Sequence, residues 1–327
     1  MTGMGLLLAG VPFLAAVPFL AATVLTASSG RLARALPPPT AVRLLTLVAL
    51  TTALGCGYVL AVTAVWALGQ LPALATIGHW SAPVLSHSEL LPPAIGAALG
   101  VLVLGLLGAS AGRALRHLTQ LHEAQLACRQ LGPGVDGLIV INSAEPDAYT
   151  LSGLTSRIIV TTAMLKALPP AERRALLAHE ASHRRHRHHA YNQLSDIAAA
   201  ANPLLRPTAR AVRRAVERWA DEDAATQLGD RPTTARAIAR AGLARDAARG
   251  RHQSPDPRET VTTAVTHDVP DRTRALLAPP PRRRPLATTF VLLLAATSAL
   301  GATAAGHAVE QQFDHAQAGY PRQSLGR

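Results

Sequence analysis

The sequence predicts an α-helical membrane protein with four transmembrane helices and a cytoplasmic, mainly α (α+β) domain that contains a small β-sheet. Two observations predict this fold class. Four stretches of the 327-residue chain contain no Asp, Glu, Lys or Arg, and each is long enough for the roughly 20 apolar residues that a helix needs to cross a bilayer. Between the third and fourth stretches, residues 113–284 combine helix and strand patterns with many charges, as water-exposed domains do.

The charge-free stretches place the transmembrane helices along the chain. They are residues 1–30, 44–88, 90–112 and 285–309. Within them, we predict transmembrane helices at about 4–27, 44–68, 90–112 and 285–309, and a Pro-containing loop at 69–89. In the first stretch the first basic residue, Arg31, follows the apolar run. A cleaved signal peptide has the opposite order, so this stretch is predicted to remain as a helix.

Arginines at the ends of these stretches predict the orientation. Basic residues lie between the first two helices, after the third and before the fourth, whereas the loop between the second and third has none; these residues are Arg31, Arg34, Arg43, Arg113, Arg116, Arg282, Arg283 and Arg284. The positive-inside rule then places the N-terminus outside, residues 113–284 in the cytoplasm and a tail at 310–327 outside. We therefore expect a multi-pass protein of the cell membrane.

Composition excludes several other classes. The net charge of +12 reflects an Ala/Arg-rich sequence and membrane anchoring, and aromatic residues make up only 3%. A nucleic-acid-binding surface would typically interleave basic and aromatic residues, so we expect no nucleic-acid partner. Cys56 lies in the second predicted helix and Cys128 in the cytoplasmic part, and no CxxC occurs. Neither a disulfide nor a thiolate zinc site is indicated.

The cytoplasmic segment divides into a domain at 113–248 and a linker at 249–284. An amphipathic helix continues from the third span to the breaker Gly-Pro-Gly at 132–134. Strands are predicted at 138–142 and 157–162, with an extended piece at about 148–151. Four helices follow: one opened by Pro169 and Pro170, then others at about 190–200, 208–228 and 233–248. The linker is rich in Pro, Arg, Asp and Thr and is predicted to be flexible.

The first of these four helices carries the pattern HExxH, as His179-Glu180-Ala181-Ser182-His183. Residues four apart share one face of a helix, so His179 and His183 can bind one Zn²⁺. Glu180 lies beside them and can act as a general base toward water. The pattern therefore predicts a zinc-dependent hydrolytic site, provided that a third ligand exists.

Two residues compete for the third ligand. His189 has the spacing of the last histidine in HExxHxxGxxH, but the glycine that would turn the chain back is replaced by His186. If the helix continues, His189 lies about 15 Å along the axis from His179 and cannot share its metal. Glu217 and Asp221, four residues apart on a later helix, can supply one ligand and one partner for a ligand histidine. We therefore prefer Glu217 as the ligand and expect His186, His188 and His189 to lie on the surface.

These residues resemble integral-membrane gluzincin peptidases of the BlaR/MecR antirepressor type, within the superfamily that includes HtpX. The resemblance extends over about residues 138–229 and includes "PDAYTLSGLTSRIIVTTAMLKALPPAERRALLAHEASH" and "NPLL" before the ExxxD helix. It implies a gluzincin-like zinc peptidase domain with His179, His183 and Glu217 as zinc ligands, Glu180 as base and Asp221 holding a ligand. His188, Asn192 and Tyr191 receive no firm role, although Tyr191 and His188 are candidates for stabilising the oxyanion.

The resemblance also implies a function. We expect a zinc endopeptidase that cleaves a protein or peptide substrate on the cytoplasmic side. In signal transduction by such proteins, the substrate is a cytosolic repressor. The linker is a candidate region for self-cleavage. The β-lactam receptors carry a penicillin-binding sensor after the fourth span, and about 18 residues follow it here without such a region, so direct antibiotic sensing is not expected. The alternatives are an HtpX-like quality-control protease and a non-catalytic membrane adapter.

Overall fold

The protein is mainly helical. The computed structural model describes residues 3–86, 92–153, 156–252, 269–279 and 284–320. Within these ranges the α-helices, in chain order, are α1 (Gly3–Ala35), α2 (Pro38–Leu68), α3 (Pro72–Gly78), α4 (Ala82–Ser86), α5 (Pro93–Gln130), α6 (Thr162–Ala167), α7 (Pro170–Arg185), α8 (His188–Ala201), α9 (Arg206–Leu228), α10 (Arg231–His252), α11 (Val269–Leu277) and α12 (Pro285–Ala318).

Four helices are long and apolar enough to cross a membrane. They are the Ala15–Ala35 part of α1, together with α2, α5 and α12. Proline stands in the first turn of α2, α5 and α12, where its missing N–H costs no hydrogen bond. Each of the four overlaps one charge-free stretch and extends beyond it, which is consistent with a membrane protein.

Two connecting regions differ from the sequence expectation. The predicted loop at 69–89 contains the short helices α3 and α4, and Trp80 closes it by donating a hydrogen bond of 2.8 Å to the Gly69 carbonyl. In the predicted linker, residues 269–277 form α11, which packs against α10 and α9. That part is therefore ordered, because α11 buries Leu276 in a cluster with Ile238 and Ala225. The linker residues 253–268 and 280–283 lie outside the described residues.

A three-stranded sheet precedes the motif helix. Its strands are β1 (Leu138–Ile141), β2 (Ala148–Leu151) and β3 (Arg157–Thr161), in the order β1-β3-β2. β1 runs parallel to β3, and β2 runs antiparallel to it at the edge. The small sheet and the long α5 helix that continues into the domain to Gln130 both agree with the sequence prediction.

The domain helices pack directly on the C-terminal part of α1 and the N-terminal part of α2. Buried Val212, Val216 and Trp219 of α9 share one apolar cluster with Leu36 and Leu45. Polar contacts also reach α1, because Arg218 of α9 donates a hydrogen bond of 2.7 Å to the Ala33 carbonyl, and Thr26 donates one of 2.7 Å to the carbonyl of Leu204, just before α9. One face of α9 is thus fastened to the apolar helices, which leaves another face for the site.

Candidate metal centre

Helix α7 brings the two histidines of HExxH together. His179 and His183 are one helical turn apart, and their Nε2 atoms lie 3.1 Å from each other. His179 is buried and Glu180 between them is 6% exposed. The two imidazoles therefore converge, as the four-residue spacing predicts.

Helix α9 supplies the third candidate ligand, a carboxylate oxygen, to the same point. Glu217 Oε2 lies 3.7 Å from His179 Nε2, and its Oε1 lies 3.6 Å from His183 Nε2. The three ligand atoms lie within 4.8 Å of one another, and no other group of this kind occurs among the described residues. The structure thus brings together the three residues that the sequence singled out as ligands.

The spacing of these atoms fits a zinc ion. Tetrahedral Zn²⁺ with ligands at 2.0–2.1 Å requires about 3.3 Å between ligand atoms. The observed separations of 3.1, 3.6 and 3.7 Å bracket that value. Two imidazole nitrogens and one carboxylate form a donor set typical of catalytic zinc, which leaves one position for water or substrate.

Asp221 contacts His179, and Arg272 contacts both Asp221 and Glu217. Asp221 Oδ1 lies 2.9 Å from Nδ1 of His179, which leaves Nε2 for the metal. Arg272 of α11 donates hydrogen bonds of 2.8 and 2.7 Å to Asp221, and its guanidinium lies 3.1 Å from Glu217 Oε2. Although burial opposes it, the charge and hydrogen bonds of Arg272 hold the pKa of Asp221 well below its usual range. Asp221 is therefore ionised when it orients His179.

His188 holds the second histidine. Its Nδ1 lies 3.1 Å from Nδ1 of His183, and its ring centroid lies 4.8 Å from that of Trp219. His188 is completely buried, so the expectation that it lies on the surface is wrong. Burial, followed by the nearby histidines, lowers the pKa of His188 to about 3. The ring is neutral at ordinary pH and can accept a hydrogen bond.

The chain turns sharply between α7 and α8. Arg187 adopts a left-handed conformation with φ of 51°, so the helix ends without the glycine that the sequence lacks. The condition of a continuous helix, under which His189 is excluded as a ligand, is therefore not met. His189 nevertheless belongs to no ligand group among the described residues and lines the outer cleft, as does Asn192. His186 is also half-buried, with Nε2 2.9 Å from Asp223 Oδ2.

Glu180 faces a cleft beside the three candidate ligands. The hydroxyl of Thr150, in strand β2, lies 2.9 Å from both the carbonyl oxygen and Oε2 of Glu180. Burial raises the pKa of Glu180, and the charge of His179 and the Thr150 hydrogen bond partly offset this. A carboxylate with a raised pKa is suited to take up and release a proton near neutral pH.

Edge strand β2 forms one wall of the cleft. The Thr161 N–H donates to the Asp147 carbonyl at 2.9 Å, and Tyr149 pairs with Ile159. Since hydrogen-bonded pairs alternate in an antiparallel ladder, the N–H and C=O of Thr150 point away from β3. Arg245 of α10 contacts the same edge by donating to the Ala148 carbonyl at 2.5 Å. A short stretch of strand edge therefore lies open beside the candidate metal ligands.

Part of the chain is similar to a known protein family. Residues 119–201 match the model of Peptidase family M48. The match begins in α5, crosses the sheet and α7, and ends with α8, so it contains His179, Glu180 and His183. It supports a zinc metallopeptidase of the M48 family, and it ends before Glu217 and Asp221. No curated protein and no solved structure matches the chain.

The sequence does not predict the roles of three residues around this M48-like site. Arg272 lies in the segment that the sequence predicts to be a flexible linker, and the only local signal there is a lone Arg after "VPD". Thr150 belongs to the segment predicted to be extended, which could hold a substrate strand, but its contact with Glu180 is not predicted, and His188 is expected on the surface. Neither Tyr191 nor His188 is among the described residues that line the cleft, whereas His189 and Asn192 are. The structure therefore gives no support to Tyr191 or His188 as an oxyanion stabiliser.

Proposed function

We propose that this protein is a membrane-embedded, zinc-dependent endopeptidase that cleaves peptide bonds on the cytoplasmic side. The observation that carries the proposal is the convergence of His179, His183 and Glu217 at zinc-like separations. Glu180 lies beside them in an open cleft. The M48 match over the same helix supports peptidase chemistry rather than metal storage.

The chemistry divides between the metal and the chain. Zn²⁺ bound by His179, His183 and Glu217 would supply Lewis-acid chemistry that polarises a peptide carbonyl and acidifies water. Glu180 takes the proton of the attacking water and passes it to the leaving amine. Thr150 holds the Glu180 carboxylate, while Asp221 and His188 keep the two histidine rings in orientation.

The substrate is proposed to bind as an extended strand. An unfolded segment can pair with the outward N–H and C=O of Thr150 on β2, adding a strand to the sheet. Arg245 and Asp147, 2.9 Å apart at the start of β2, mark one end of this edge. A peptide held in this way would pass beside Glu180, because Thr150 lies on this edge and its hydroxyl contacts the Glu180 carboxylate.

The orientation and the biological role are also proposals. The arginines at the ends of the apolar helices favour an outside N-terminus and a cytoplasmic peptidase domain in the cell membrane. The resemblance to BlaR/MecR antirepressors favours regulatory cleavage of a cytosolic repressor. Quality control of the HtpX kind uses the same site chemistry, so the breadth of substrates distinguishes the two roles.

A digest with purified protein tests the catalytic proposal. We expect wild type in detergent to cleave casein or a candidate repressor, and Glu180→Gln to lose at least about 100-fold in rate. Glu123→Gln, an exposed glutamate on α5, is the matched control and should cleave like wild type. Equal cleavage by wild type and Glu180→Gln would overturn the mechanism, and no cleavage by any variant would favour the adapter alternative.

Metal analysis tests the ligand set separately from activity. Wild type should purify with one zinc per chain, and Glu217→Ala should lose most of it after brief dialysis against a weak chelator. Glu123→Ala is the control with the same side-chain loss at an exposed position. Unchanged stoichiometric zinc in Glu217→Ala would overturn the choice of Glu217.

A further inference from the structure

A second pocket, whose lining includes none of the HExxH residues, lies where α5, α8 and α9 meet. Its lining contains five arginines and a single acidic residue, Asp196. The arginines are Arg113 and Arg116 of α5 and Arg206, Arg210 and Arg213 of α9. Because Arg206, Arg210 and Arg213 follow one another at spacings of four and three, they share one face of α9. The arginines are therefore clustered around one pocket and concentrate positive charge there, rather than being scattered over the surface.

Most of this charge is not neutralised by the protein. Asp196 forms an ion pair with Arg213. Among the residues that the structure describes, Arg113, Arg116, Arg206 and Arg210 make no ion pair. All four are exposed at the pocket mouth. A concave site with four unneutralised guanidinium groups favours the binding of an oxyanion with one or two negative charges. Phosphate fits this description, because one guanidinium group can hydrogen-bond to two phosphate oxygens.

The pocket also has an apolar side, which continues onto a membrane-spanning helix. Leu106 and Ala109 precede Arg113 on the same face of α5, and Ala199, Pro203 and Ala209 line the opposite wall. On the same face of α5, toward its N-terminus, Leu102 is 47% exposed and Ile95 is 42% exposed. Only 6% of the apolar window of α5 is buried within the protein, so lipid tails are the natural neighbours of this surface.

We propose that this pocket binds the phosphate headgroup of an anionic phospholipid, with its acyl chains against the apolar face of α5. Arg113 and Arg116 lie directly after the charge-free part of α5, at the level where the headgroups of the adjoining leaflet lie. Basic pockets between helices at this level are typical sites for such headgroups. The bound lipid would contact both α5 and α9. Glu217 lies on α9 one turn after the pocket residue Arg213.

The test is native mass spectrometry of the full chain in neutral detergent, titrated with phosphatidylglycerol or with phosphatidylcholine. The pocket variant is Arg116→Gln/Arg210→Gln. The control is Arg129→Gln/Arg214→Gln, which removes the same charge from the same two helices at exposed positions outside the pocket. Inorganic phosphate at millimolar concentration is added in a third arm to separate a lipid headgroup from a free anion.

We expect one phosphatidylglycerol per chain, bound at least about 10-fold more tightly than phosphatidylcholine. The pocket variant should lose about 10- to 30-fold in affinity for phosphatidylglycerol, because it removes two guanidinium groups, and the control should stay within about twofold of wild type. Equal retention of the two lipids, or equal losses in both variants, would overturn the proposal. Displacement of phosphatidylglycerol by inorganic phosphate would overturn the lipid in favour of a free anion. These readouts do not depend on peptidase activity, so they stand apart from the proposed function.

Discussion

Nδ1 of His183 lies 3.1 Å from Nδ1 of His188, so one imidazole holds another. His183 presents Nε2 toward Glu217 and His179, so a metal bound at Nε2 would leave the ring hydrogen on Nδ1, from which it can be donated to His188. His188 accepts at Nδ1 because it is neutral, and its Nε2 is buried without a hydrogen-bond partner among the described residues. This pair places α8 directly behind the candidate metal ligands of α7.

Removing the His188 ring should therefore weaken zinc binding. We expect His188→Ala to lower zinc affinity by about 10- to 100-fold, the usual cost of losing a group that orients a metal ligand. The measurement is zinc retention in a chelator competition, accompanied by a thermal melt to check folding. His189→Ala, the neighbouring residue that lines the cleft, is the control and should retain zinc like wild type. Equal retention by the two variants would show that His188 does not orient His183.

The Thr150 hydroxyl should set the acid limb of the pH–rate profile. Glu180 must be ionised to accept a proton, so activity falls as pH falls through its pKa, which burial raises. The Thr150 hydrogen bond lowers that pKa. Thr150→Val removes the bond and should move the acid limb of kcat/KM to higher pH by about 0.5 to 1 unit. Thr150→Ser keeps the hydroxyl and should leave the limb in place, and a shift of similar size in both variants would contradict the assignment.

Arg272 should matter for catalysis although it lies outside HExxH and ExxxD. It binds Asp221 through two hydrogen bonds and contacts Glu217 at 3.1 Å. Arg272→Ala should lower kcat/KM and zinc affinity together by about 10-fold or more, since Asp221 loses the group that fixes it against His179. Arg274→Ala, two residues along α11, removes an exposed arginine that pairs with Asp271. Wild-type zinc affinity and activity in Arg272→Ala would refute the role.

Gly96 should be required for packing of the apolar helices. A Cβ at Gly96 of α5 would lie 2.6 Å from Ala67 Cβ and 3.1 Å from the Leu68 backbone nitrogen in α2, whereas at Gly100 it would meet nothing within 4 Å. Gly96→Ala should therefore destabilise the detergent-solubilised protein by about 1–3 kcal/mol through overpacking. Gly100→Ala, one turn later on the same helix, should melt like wild type or slightly higher. The measurement is a thermal melt followed by size-exclusion chromatography, and equal melting of both variants would contradict the close approach.

The sequence by itself determined the features that depend on local pattern. Charge-free runs of bilayer length marked the four apolar helices because hydrocarbon tolerates few charges. The four-residue spacing of His179 and His183 brought both imidazoles to one point, since that spacing is one helical turn. The i, i+4 pair Glu217 and Asp221 likewise marked one face of α9, on which the structure places both residues at the site.

Only the tertiary structure decided which distant residues complete the site. Arg272 reaches Asp221 because α11 packs against α9 and α10, and no local pattern in a Pro- and Arg-rich segment indicates that packing. His188 is buried because the chain reverses at Arg187 without glycine and lays α8 against Trp219, so its histidine-rich context was misleading. Thr150 meets Glu180 because β2 lies at the sheet edge beside α7. Contacts between residues far apart in the chain depend on the whole fold, and short-range periodicity carries no information about them.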